Sequence, residues 1–148
     1  MQREELLREQ VKAMIFNEPA RSTELRTQIG EQGLARAHFN FTTAVFAGAV
    51  IQYFGEELDL AALRTFMTGI RHDFRKADPP LKFMTVEGAV RAIYGEDHFL
   101  DEMTGEEQLI AMSAVIRKIT FETPYITDNI EPFLDEAEKL ARQWESEG

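Results

Sequence analysis

The sequence predicts an all-α protein: a single compact domain of six or seven helices packed around one buried central helix, residues 34–54. Three observations predict it. Residues 39–54, FNFTTAVFAGAVIQYF, form the most apolar stretch of the chain and carry no charge. Elsewhere apolar side chains recur every three to four residues, the period of a helix, and only residues 119–121 hint at a strand. The helical segments are uneven and broken by Pro and Gly, which argues against a regular up-down four-helix bundle. At 148 residues the chain has the usual size of one domain.

The elements follow in order. Residues 2–18 read as an amphipathic helix with Leu7, Val11, Met14 and Ile15 on one side, stopped by Pro19 because the residue before a proline is pushed out of the α region. Residues 22–32 read as a short helix with Ser22 as its N-cap. The central helix ends at Gly55. Its uncharged apolar run, residues 39–54, falls short of the roughly 20 apolar residues of a membrane span, and Glu56 and Glu57 follow at once. Within it Ala44, Ala47, Gly48 and Ile51 make a small-residue face suited to close approach by another helix. Asp59 caps a helix reaching Lys76, with Leu60, Leu63, Phe66, Met67, Ile70 and Phe74 as its stripe. Asp78-Pro79-Pro80 forms a rigid corner. Thr85 caps a helix to Tyr94, and residues 96–103 form a short acidic helical stretch. Thr104 and Glu107 have the spacing of a capping box. The helix it opens carries Leu109, Met112, Ile116 and Ile119 and runs to about Thr120. A polar turn around Pro124 precedes the last helix, which starts at Asp128 or Asn129 and buries Phe133, Ala137, Leu140, Ala141 and Trp144. Met14, Met67, Met84, Met103 and Met112 are read as core filling.

Charge restricts the partners. The net charge is −10. Residues 1–76 hold ten basic and ten acidic residues, whereas residues 77–148 hold six basic and sixteen acidic, so the whole excess lies in the second half. An acidic chain lacks the Lys and Arg that displace counterions from nucleic acid, and it is repelled by anionic membrane surfaces. The chain has no cysteine, hence no disulfide framework, thiolate metal site or cysteine nucleophile. Its opening is charged rather than basic-then-apolar, and a cytoplasmic protein is expected.

Three groups of residues are candidates for function. His38, Thr42, Val45, Ala49, Gln52 and Tyr53 share one stripe of the central helix. The polar members, His38, Thr42, Gln52 and Tyr53, either find partners on neighbouring helices or line an apolar pocket, since a buried polar group without a partner costs about 1–3 kcal/mol. Arg64, Arg71 and Arg75 recur at i, i+7 and i+11 along the border of an apolar stripe. They are expected to pair with the acidic half of the same chain, with that of a second copy, or with an anionic small molecule. His98 and Glu102 would share a helix face, with Asp101 beside them and His72 and Asp73 on another helix. Imidazole with carboxylates is a divalent-metal donor set, although acids in a first helical turn also serve the macrodipole. No phosphate loop, HExxH, GxSxG or EF-hand pattern is present, and no cofactor is implied.

The function this favours is a non-catalytic helical protein acting by self-association or by binding a protein partner. The alternative is a small-molecule-binding helical protein with its pocket beside the central helix. A metal-dependent enzyme built on the His98 cluster comes third.

Overall fold

The computed structural model describes residues 1–147, and all regular structure among them is helical. The chain forms α1 (Arg3–Ile15), α2 (Pro19–Glu31), α3 (Ala35–Phe54), α4 (Leu60–Asp73), α5 (Phe83–Ile93), a 3-10 helix (Asp97–Glu102), α6 (Gly105–Glu122), α7 (Tyr125–Asp128) and α8 (Ile130–Glu147). Residues 119–121 lie in α6, so the faint strand pattern there is helical. No helix among the described residues is long and apolar enough to cross a membrane.

The helices group into two units. Unit 1 comprises Met1–Val45 with Thr120–Gly148, and unit 2 comprises Phe46–Ile119. In unit 1, α1 lies along α2. The residue that ends α1 is Asn17, not Pro19. It adopts φ 57°, its N–H reaches Met14 O, and Glu18 N–H reaches Ala13 O. This Schellman closure satisfies carbonyls that the helix leaves open. Pro19 then occupies the first turn of α2, where its missing N–H has no consequence. Ser22 is therefore interior to α2 and buried, not its cap. The core of the unit is built from Leu6, Val11, Leu25, Ile29, Phe41, Val45, Ile126 and Leu134. The apolar face of α8 centres on Leu134, Ala137 and Ala141, while Phe133, Leu140 and Trp144 are half-buried.

Salt bridges connect the two ends of unit 1. Arg8 pairs with Glu131 and Asp135, Lys12 with Glu131, and Arg3 with Glu145. The acidic second half of the chain is thus met in part by bases of α1.

In unit 2, Asp59 Oδ1 accepts from Ala61 N–H at 3.0 Å and caps α4 as expected. That helix stops at Asp73, short of Lys76. Its buried stripe is Leu63, Phe66, Met67 and Ile70, whereas Leu60 is exposed. The Asp78-Pro79 peptide is cis. Thr85 lies inside α5 instead of capping it, and its hydroxyl donates to Lys82 O. The helix closes on Gly95 at φ 97°, with Glu96 N–H donating to Arg91 O.

Residues 97–102 are 3-10, not α, and lie against α5. Gly88 permits this approach: a Cβ there would stand 2.9 Å from Phe99 Cβ and 2.8 Å from Met103 Cε. The capping box of α6 forms as the spacing implies. Thr104 N–H donates to Glu107 Oε1 and Glu107 N–H to Thr104 Oγ1, each at 3.1 Å.

Candidate functional site

Three helices of unit 1 bring polar side chains together inside its core. Gln10 falls among the apolar residues of α1, so its amide is buried with them. Its Nε2 donates to Ser22 Oγ of α2 at 3.0 Å. His38 of α3 stands 2.8 Å from Gln10 Oε1 through Nε2. An amide oxygen only accepts, so in this arrangement Nε2 carries the imidazole proton. Burial, with the Arg26 charge as a lesser cause, pushes His38 down to about 4, so the ring is neutral at ordinary pH. One turn on, Thr42 is 2% exposed, and its hydroxyl has no hydrogen-bond partner among the described residues.

The predicted stripe therefore divides. His38 and Thr42 are buried in unit 1, but Gln52 is exposed and Tyr53 only half-buried. The last turn of α3 faces solvent, as Ile51 at 46% exposure also shows, so the central helix is not buried on all sides. An exposed amide has water for a partner, and the argument for a lining role fails at Gln52. Tyr53 instead meets Phe54 and Phe66, with ring centroids 4.8 and 5.3 Å away.

Sequence reasoning missed Lys118. It lies on the stripe continued from Ala111 and Val115 at helical spacing, which is the signal that points inward. Its side chain is 6% exposed, and Nζ sits 2.7 Å from Asp73 Oδ2 and 5.9 Å from the Phe66 ring centre. Gly69 on α4 makes the room, since a Cβ there would come within 2.8 Å of Nζ. The hydrogen bond from Lys118 holds the Asp73 carboxyl below its usual range.

The metal expectation is not met. At three residues per turn the 3-10 helix aligns His98 with Asp101, not with Glu102, and all three are exposed. His98 stacks on Phe99, and Asp73 is engaged by Lys118. No group of three or more His, Asp or Glu side chains among the described residues is placed to hold a metal.

Like Arg26, Arg36 and Lys76, the predicted arginines make no salt bridge among the described residues, and Arg75 lies past the end of α4. Arg64, Arg71 and Arg75 are exposed. Arg71 lies over the Phe83 ring at 6.0 Å, and Arg75 donates to His72 O. Among the described residues none of the three forms an ion pair with a carboxylate. The expected pairing with the acidic half of the same chain is made by α1 instead.

Two large apolar side chains stand almost wholly in water, Phe121 in unit 1 at 91% and Met84 in unit 2 at 88%; Met84 is thus not core filling. A groove of about 20 Å³ in unit 1, with Leu7, Ala37, Phe41 and Ala141 on its walls, has room for one water but for no organic ligand. No family model, curated protein or solved structure matches the chain.

Proposed function

We propose that the chain is a non-catalytic helical protein that acts by binding an acidic protein surface through α4, on a second copy of itself or on another protein. The observation that carries this reading is the unpaired arginine row. Arg75 acts on the nearby Asp73 carboxyl, but no salt bridge among the described residues engages Arg64, Arg71 or Arg75, in a chain with 26 acids and 16 bases. Their planar guanidinium groups suit carboxylates, and arginine is enriched in protein interfaces. The net charge of −10 disfavours nucleic acid and anionic membranes as partners. A cytoplasmic location belongs to the same reading and is supported by the cysteine-free composition.

A photo-crosslinking residue at Thr68, exposed on α4 between Arg64 and Arg71, tests it in the expressing cell. A single discrete adduct is expected, lost when Arg64, Arg71 and Arg75 are changed to Glu. No adduct, or one that survives those changes, would overturn the reading.

The small-molecule alternative has one observation in its favour, the unpartnered Thr42 hydroxyl. If that hydroxyl faces no ligand, Thr42→Val removes a desolvated group and raises stability by about 1 kcal/mol. We expect this gain in urea unfolding of the purified protein. A loss of similar size would mean that the hydroxyl has an occupant, as the small-molecule reading requires.

A further inference from the structure

We infer that the C-terminal turns of α8, residues 138–145, are an electrostatic latch: exposed ion pairs rather than packing hold them on α1, and they open as ionic strength rises, uncovering Leu7 and Phe41. The latch lies within unit 1 and does not depend on the α4 surface proposed above.

The pairs that join α1 to α8 fall in opposite order along the two helices, which therefore run antiparallel. Lys12 meets Glu131, and Arg8 meets Glu131 and Asp135. Further along, Glu4 stands 4.0 Å from Arg142, and Arg3 pairs with Glu145. The two halves of α8 differ in what else holds them. The first half buries Leu134 completely, and Arg8, which serves two of its pairs, has a side chain only 16% exposed. In the second half Ala141 alone is buried, and it contributes a single methyl group. Leu140 and Trp144 are half-buried.

Packing under the second half is also incomplete. The groove of about 20 Å³ lies there, with Ala141 on the α8 side and Leu7, Ala37 and Phe41 on the α1 and α3 side. The four partners of the two outer pairs all border it, and their side chains are 35–61% exposed. A void forfeits the contacts its lining would otherwise make, so the pairs across its rim carry a large share of the closure. Exposed pairs are each weak and are screened by salt, whereas apolar burial and shielded pairs are screened much less. The second half of α8 is thus held by the interactions that salt removes, and opening it exposes the buried Leu7 and Phe41.

Hydrogen exchange of the full chain, read by mass spectrometry at low and high sodium chloride, provides the test. Amides of residues 138–145 should exchange about fivefold faster or more at high salt. Those of residues 131–137 and of α3 should change little, because Leu134 and the α3 core do not rely on exposed pairs. Arg3→Glu or Glu145→Arg alone brings like charges together, so each should exchange fast already at low salt. Both positions are exposed, so these variants should fold as the parent does. The double variant Arg3→Glu with Glu145→Arg restores opposite charges and should return the exchange to the parent rate. Exchange over residues 138–145 that ignores salt would be ordinary fraying of a helix end and would overturn the latch. A salt effect shared equally by α3, or a double variant that stays open, would overturn it as well.

Discussion

Between pH 6.5 and 4.5 the unfolding free energy should fall as acid is added, with a slope approaching 1.4 kcal/mol per pH unit, or about 3 kcal/mol by pH 4. His38 is the cause. Its ordinary value is 6.5, and burial lowers it to about 4 in the folded chain. Below pH 6.5 the unfolded chain therefore binds a proton that the folded chain refuses. A group whose folded value is depressed stabilises fully above its unfolded value and loses that contribution as pH falls. The geometry explains the refusal: imidazole Nε2 already donates to Gln10 Oε1, and protonation would place a charge in an apolar core.

The window separates this effect from the carboxylates. Asp73, Glu107 and Glu131 are all held low, each first by a hydrogen bond from a lysine, Lys118, Lys82 and Lys12 respectively. Glu107 reaches about 2. Their contributions are complete above the ordinary carboxylate value of about 4.5 and are lost only as pH falls below it. Urea unfolding of the parent chain and of His38→Gln, repeated across this range, checks the assignment. Glutamine can donate the same hydrogen bond but cannot take up a proton, so the variant should show a nearly flat profile from pH 6.5 to 4.5. An unchanged slope would assign the acid sensitivity to other groups.

The second large effect is expected at Gly88. In an open helix interior, Gly→Ala stabilises by about 1 kcal/mol. Here the new Cβ would lie 2.8 Å from Met103 Cε and 2.9 Å from Phe99 Cβ. The methionine terminus can swing aside. Phe99 Cβ is attached directly to the backbone of the 3-10 helix, so relief requires that helix to move off α5. Overpacking of this kind costs about 1–3 kcal/mol. Gly88→Ala should therefore destabilise despite its better helix propensity, and Gly88→Leu should destabilise more. Thermal melts of both variants decide the matter. A Gly88→Ala protein that melts above the parent would show that the 3-10 helix yields without loss.

Asp59 and Thr104–Glu107 show why some features were legible beforehand. A cap joins groups within one turn of the chain, so its residues announce it locally. The 3.6-residue period likewise marked α4, α5, α6 and α8, because a helix must bury one side whatever its neighbour is. Residues 96–103 offered no comparable signal. They were expected to share α-helical faces, but the segment is 3-10, held where Gly88 lets Phe99 approach. Ser22 resembled a cap because Ser favours that position, but Pro19 opened the helix earlier and Ser22 became a partner of Gln10.

The sequence by itself determined the all-helical class, the placement of most helices and the charge split between the halves, whereas the predicted arginine row is cut short because α4 ends at Asp73, before Arg75. The first three depend on residues that are near neighbours in the chain or on simple composition. The tertiary structure alone decided which bases the acids meet, that Lys118 is buried against Gly69 and Asp73, that His38 rests on Gln10, and that Gln52, His98 and Met84 face water. Those outcomes depend on partners up to 142 residues apart, as for Arg3 and Glu145. Burial and hydrogen bonding between distant segments are set by how the helices pack, and the period of one helix does not reveal which side chain of another will lie opposite.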